Sequence, residues 1–266
     1  SSDVRVLSVA SRWDHAIERV EIHLSAETST ENGRRRLTLP FAPHEQLVLP
    51  GDQKLLVADD HGGQLALVDL ETWSLDAIRP LNAHSIRGLA LSESGDAVLI
   101  SHQILNQEVT TSLDALRDGT LIQNVIRVVP MDKLYARNAL LPVNVRTIFL
   151  GQSSAGAADP ADVVLDIDHN ICVALAGVDQ MLLATPDGIE KHRPAVGRRP
   201  THLLPCPDRS EVVVVNTFGD SLSVIDTRTD KIQRVMPTGP IGGPSCHRSG
   251  RRSPAVASGR KNRSSR

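Results

Sequence analysis

The sequence predicts an all-β fold assembled from repeated four-stranded sheets, and three observations carry that prediction. First, "PHEQLVLPGDQKLLVADDHGGQLALVDLETWSL" (43–75) lies without a gap on "PTHLLPCPDRSEVVVVNTFGDSLSVIDTRTDKI" (200–232), 157 residues further on. Second, fainter copies place unit starts near 43, 85, 160 and 200, so two of the three spacings are close to 40 residues. Third, the strand-like stretches "LLVA" and "VVVV" are continuous apolar runs rather than alternating ones, which is the pattern of strands covered on both faces. A period of about 40 residues with several short strands in each unit is the signature of a β-propeller, whose blades cover one another by stacking radially.

Each unit can be justified in turn. Residues 4–40 open with "VRVLSVASRWDHAIERVEI", which matches only the later part of a unit and predicts a partial blade. Residues 43–81 form the first full unit, with Pro43, Leu47, Pro50, Val57, Gly62, Leu65, Asp69 and Thr72 identical to their counterparts in the last one. Its corner HGGQ, like FGDS in the last unit, supplies residues that tolerate positive φ in a tight hairpin. Asp69 and Asp226, closing "LVD" and "VID", are predicted to bond backbone amides of the following turn.

The unit at 85–150 matches through "IRGLALSESGDAVLISHQ" and carries an insertion, 103–124, where other copies have a four-residue corner. "LDALRD" within it has helical spacing and predicts a loop with a short helix on one face of the propeller. "SSAGAADP" (153–160) reads as a small-residue linker. The unit at 160–198 repeats the template one residue shorter at its corner, and 200–239 completes the series. Together, residues 1–240 make four blades and a partial one, expected to be a fragment of a seven-bladed ring.

Beyond residue 240 the character changes. Gly242–Arg266 holds seven arginines and lysines and no acid, leaving 22 bases against 31 acids in the remainder. The segment 241–266 is expected to be a disordered basic tail; nucleic acid is not its expected partner. No apolar run reaches the roughly 18–20 residues that span a bilayer. The three cysteines, Cys172, Cys206 and Cys246, show no CxxC spacing, and Cys172 in "NICVALAG" reads as a buried core thiol. No P-loop, GxSxG, HExxH or GxGxxG marks an enzyme class.

At "VGRRPTHLLPCPDRSEVVVVNTFGDSLSVIDTRTDKIQRVMPTG" (196–239) the chain resembles the YVTN-repeat β-propellers, with "VVVNTFGDSLSVIDT" carrying the pattern and Val replacing its aromatic residue. "LISHQILNQ" (99–107) and "GAADPADVVLDIDHNICVALAGVDQ" (156–180) are similar to a bacterial group in which such a propeller precedes a cytochrome c domain of the di-haem peroxidase type. That resemblance implies an extracytoplasmic electron-transfer protein whose haem c lies in a C-terminal domain, and a cytochrome c domain of the same polypeptide or another protein as partner. The chain departs from it at the decisive point: it has no CxxCH, and "GPSCH" (243–247) has Gly243 where the first haem-binding cysteine would stand. No cofactor is therefore expected in this chain.

Propellers line their central channel with the innermost strand of each blade. In the repeat register Glu45, Arg87, Asp162 and His202 fall at equivalent positions near the start of that strand, predicting a ring of polar, titratable side chains at the channel mouth. Such a ring either takes a small ligand or metal ion or pairs its charges internally. His102, where a strand meets the insertion, is a candidate ligand or interface residue toward the cytochrome domain; the alternative is a surface histidine capping the insertion. "DDHGG" (59–63) has the composition of a metal cluster but aligns with the ordinary corner NTFGD, and so reads as a turn. Two functions from different classes follow: a non-catalytic module that binds or scaffolds a partner, and an enzyme, either haem-dependent in its full-length form or a lactonase-like hydrolase using the channel ring.

Overall fold

The computed structural model describes residues 4–23, 34–51, 53–136, 141, 145–152, 155–229 and 231–239. The expected basic tail at 241–266, with Cys246, lies outside the described residues. Among the described residues nineteen strands form five antiparallel sheets, four of them four-stranded and one three-stranded. The first holds β1 (Val4–Ser11), β2 (Ala16–His23) and β3 (Arg35–Thr38). The second holds β4 (Pro43–Val48), β5 (Lys54–Asp59), β6 (Gln64–Asp69) and β7 (Ser74–Pro80). The third is β8 (His84–Leu91), β9 (Ala97–Leu105), β10 (Ile122–Pro130) and β11 (Arg146–Phe149), accompanied by the short helices α1 (Leu113–Arg117) and α2 (Met131–Tyr135). The fourth is β12 (Pro160–Leu165), β13 (Ile171–Leu175), β14 (Gln180–Ala184) and β15 (Glu190–His192). The last is β16 (Pro200–Pro205), β17 (Glu211–Asn216), β18 (Ser221–Asp226) and β19 (Lys231–Pro237).

The sheets are wedges held face to face. Four apolar clusters lie among the described residues, and each spans two consecutive sheets: Ile17, Leu39, Leu55 and Val57 join the first to the second. Leu56, Leu67, Ile86 and Ile100 join the second to the third; Leu99, Ile126, Val163 and Val173 the third to the fourth; Cys172, Leu183, Val212 and Ile225 the fourth to the fifth. Strand β5 shows why the apolar runs are continuous. Leu55 and Val57 face one neighbour while Leu56 and Ala58 face the other, and all four are buried.

The innermost strands β4, β8, β12 and β16 contact one another in sequence, which places them around a shared axis. At Gly88 the approach is tight. A Cβ there would sit 2.6 Å from the Val163 nitrogen and 2.7 Å from the Ala161 oxygen, so β8 meets β12 only because the side chain is a hydrogen. The Ser101 hydroxyl, beside Gly88, donates to the Ala161 carbonyl at 2.5 Å and fastens the same junction.

The first sheet lacks an innermost strand among the described residues. Leu39 N–H donates to His15 O at 2.7 Å, as Leu81 N–H does to Gly63 O at 2.6 Å and Thr238 N–H to Asp220 O at 2.9 Å. In each case the end of an outermost strand reaches the corner between the second and third strands. By that correspondence β1, β2 and β3 are the second, third and fourth strands of a blade.

Two expectations from the sequence meet the structure here. Asp69 Oδ1 accepts from the amides of Glu71 and Thr72, and Asp226 Oδ1 from those of Arg228 and Thr229, as the sequence predicts. The insertion is shorter than 103–124. Leu105 pairs with Ile122 and Gln103 with Asn124, so the β9–β10 hairpin runs on and the extra loop is 106–121, with α1 inside it. Strand-forming Ile104, Ile122 and Val125 prolong the ladder past the point where the shorter copies turn.

Candidate functional site

Every innermost strand breaks register near its start. The breaks lie between Pro43 and Gln46, His84 and Gly88, Pro160 and Val163, and Pro200 and His202. Glu45, Arg87 and Asp162 sit inside these bulges, and His202 closes the last one. A bulge inserts residues that oppose none on the partner strand and so re-aims side chains. The repeat position identified in the sequence is therefore a bulge position, and its side chains turn toward the axis instead of alternating into the wedges.

The structure brings three of the four ring residues together. His202 Nε2 stands 3.9 Å from Glu45 Oε1. Asp162, half-buried, receives the Leu203 amide on Oδ2 at 2.8 Å and its neighbour Val163's on Oδ1 at 2.8 Å. Burial, reinforced by the negative charge of Glu45, pushes the Asp162 carboxyl up to about 7 against these two hydrogen bonds. The fourth residue, Arg87, belongs to another group: its Nε lies 3.9 Å from Asp159, which Arg199 engages more closely at 2.9 Å.

Residues that the repeat register does not single out complete the cluster. His44 Nδ1 is 3.2 Å from Glu45 Oε1, and its Nε2 is 3.8 Å from Asp60 Oδ1. The Asp60 side chain is almost wholly buried, and Arg12 Nη2 donates to it at 2.8 Å. His61 adds a contact at 3.4 Å from outside. The result is a chain of contacts from Arg12 through Asp60, His44 and Glu45 to His202. "DDHGG" is a turn, with the His61 amide donating to Asp59, but one of its members anchors this chain. A signal was present in the repeat: shifted by 157 residues, His44 and Asp60 become Thr201 and Thr217, which also touch, hydroxyl to hydroxyl at 2.5 Å. The same pair of template positions carries a histidine and a carboxylate side chain in one blade and two hydroxyls in another.

Chemically the cluster offers carboxyl and imidazole groups within one channel end, one of the carboxyls raised to about 7 by burial. Among the described residues no three His, Cys, Asp or Glu side chains are arranged to hold a metal ion.

His102 requires a correction. It is completely buried, so it presents nothing to a partner domain and caps no surface. It lies within the prolonged hairpin, opposite Val125, and not at its end. Its Nδ1 faces the Gln103 carbonyl at 2.9 Å, which makes Nδ1 the protonated nitrogen. Nε2 has no partner among the described residues. Burial, with smaller repulsion from Arg127 and His84, lowers its pKa to about 4, so the ring is neutral. Cys172 is a core thiol as expected, and burial raises its pKa.

Wedge-shaped four-stranded sheets about a common axis, with a polar cluster at the channel end, define a β-propeller of four blades and a partial one. Solved structures agree on the fold. The chain is similar to Kuenenia stuttgartiensis hydrazine synthase, with a TM-score of 0.66 and 12% identity over 85% of this chain and 69% of that one. It is also similar to a functionally unknown protein from Desulfotomaculum acetoxidans DSM 771 (TM-score 0.59, 12% identity, 89% and 67% covered). A streptogramin B lyase gives 0.58 at 11% identity, with 84% of this chain covering 62% of that one. The chain thus spans about two thirds of the length of the propellers it matches. No family model matches it, and no curated protein does. Among the described residues no helix is long and apolar enough to cross a membrane.

Proposed function

We propose that the chain is a non-catalytic binding module, the YVTN-type propeller portion of an extracytoplasmic, cytochrome c-linked electron-transfer protein. The supporting observation is the channel-end cluster, in which carboxylates and imidazoles from three blades converge through bulged strands on a rigid scaffold. Such a cluster recognises a ligand or a partner's side chain by hydrogen bonds and charge, while the blades supply position only. The cytochrome linkage rests on the sequence resemblance, and haem would belong to a following domain. The coding sequence beyond residue 240 tests it: a CxxCH in a following domain, and a Soret band in the full-length protein, are the expected results. A full-length protein without either overturns the linkage and leaves the binding module.

One observation favours a second reading, an enzyme. A carboxyl group near pH 7 in a channel suits general acid–base chemistry, as in a lactonase-like hydrolase. Turnover of a simple lactone that Asp162→Asn abolishes, with a pH profile breaking near 7, would establish that reading over the first.

A further inference from the structure

We propose that a second site, which shares no residue with the channel-end cluster, binds a neutral carbohydrate. A cleft of about 670 Å³ opens between the base of the insertion and connector residues 151–152 and 156–158, beside the third blade. That volume falls within the roughly 300–1,000 Å³ of small-molecule sites.

Its lining is unusual in kind. Four side-chain amides, Gln103, Gln123, Asn124 and Gln152, border it, together with the ring of Phe149 and the side chain of Ile122. Phe149, at the end of β11, is 58% exposed and Ile122, at the start of β10, 46%; both are large apolar groups left open while Ile148, Val125 and Ile126 on the same two strands are buried. A primary amide presents paired donors beside an acceptor, the complement of adjacent hydroxyls, which also donate and accept. An exposed ring beside such amides offers an apolar face to the C–H side of a sugar. Asp118 is the one acidic side chain on the rim, and the channel cluster's mixture of charges is missing from the described lining. Amides, one flat ring and little charge select a polyhydroxylated neutral ligand over an ionic one.

The walls are built before any ligand arrives. Gln103 Nε2 donates to Asn124 Oδ1 at 3.0 Å, and Asn124 Nδ2 donates to the Ala157 carbonyl at 2.7 Å. The buried Arg193 guanidinium holds the connector from behind, donating to the carbonyls of Leu150 at 2.8 Å and Gly156 at 2.9 Å and to Glu190 Oε2 at 2.7 Å. Gln152 Nε2 donates to the same Glu190 carboxylate at 3.1 Å, leaving its carbonyl oxygen for a ligand. The Gln123 side chain makes no hydrogen bond with the described residues, while its backbone pairs with Ile104, so its whole side-chain amide is available. Pre-set walls with unspent donors and acceptors reduce the ordering cost of binding a weakly held, flexible molecule.

Saturation-transfer NMR on the whole chain with maltotriose, cellotriose and tri-N-acetylchitotriose, and with a galacturonate trimer as the charged comparison, tests this. Saturation of the sugar C–H protons is expected for at least one neutral trisaccharide and not for the galacturonate. Phe149→Ala should weaken that binding about tenfold and Gln123→Ala about fivefold. Glu45→Gln, in the channel, should leave it unchanged, so failure here and failure of the channel reading are separable. Both lining positions are exposed or partly exposed, and an unaltered thermal melt confirms that each variant folds. Silence from all three neutral sugars overturns the proposal. So does retention of affinity within about twofold in both Phe149→Ala and Gln123→Ala, or equal binding of the galacturonate.

Discussion

Two titratable side chains, one half-buried and one fully buried, respond to pH in opposite directions. Asp162 has its carboxyl raised to about 7 from an ordinary 3.8, so folding favours its protonated form. Its contribution is fully present below about pH 4 and is lost as pH rises through about 7. Asp162→Asn removes that loss but also one of two amide acceptors. The melting temperature of the variant relative to the natural protein should therefore rise between about pH 4 and pH 8, whichever is more stable at the start. His102 behaves inversely. Its folded pKa near 4 lies below the ordinary 6.5, so its contribution is complete above about 6.5 and is lost as pH falls toward 4. At most this is of the order of 3 kcal/mol. His102→Asn keeps a donor toward the Gln103 carbonyl and cannot titrate; its stability deficit at neutral pH should shrink on acidification, as read by urea unfolding at about pH 7.5 and 4.5. At this scale the sequence disclosed positions but not environments. Glu45, Asp162 and His202 were findable because the repeat register aligns them. Asp60 reads as a turn residue by its letters alone, and only the matching pair Thr201 and Thr217 in the last unit points to its contact with His44. His102 misled because the hairpin outlasts its template, which turns a boundary residue into an interior one.

Elements meet at fixed distances, and Gly88 sets the closest of these. Gly88→Val would drive a branched side chain into the backbone of β12, where no flexible atom can give way. The expected cost is about 2–4 kcal/mol, measured by chemical denaturation, with Gly88→Ala intermediate. If instead Gly88→Val unfolds at the natural protein's midpoint, the inner strands are not packed as described. The strands themselves were legible because an apolar run bounded by Gly, Asp and Pro has little alternative to a β-strand at this length. The bulges were not. A register break leaves no mark on hydrophobic pattern; it arises where four strands crowd toward one axis and each must turn its first polar residue inward.

Across the whole molecule the pattern of burial is uneven. Strand β13 is buried throughout and β5 at every residue after Lys54, whereas β17, equally apolar in sequence, alternates between buried and half-buried residues, and β19 is exposed along its length. Leu204, Phe218 and Val235 stand open on the last sheet, at 58–64% exposure, and Val6, Leu7 and Val9 on the first. Uncovered apolar patches of this kind drive association. Light scattering should show the isolated chain self-associating as its concentration rises, and Leu204→Ser with Val235→Ser should shift it toward monomer. A monodisperse monomer throughout would mean that these faces are covered. The repeat made the architecture legible because every copy reports the same fold independently. The count of blades in the complete ring is a property of the interfaces, which a single template does not encode.

The four separate apolar clusters, one at each junction, have a mechanical implication. Among the described residues no apolar cluster ties a rim wedge to more than one neighbour, and only polar contacts such as His202–Glu45 reach further, so cooperativity is handed mainly from sheet to sheet. Unravelling should then start at the outer pair and travel inward. In deuterium exchange, the amides of β5, β9 and β13 should be the last to take up label, and those of β1 and β19 the first.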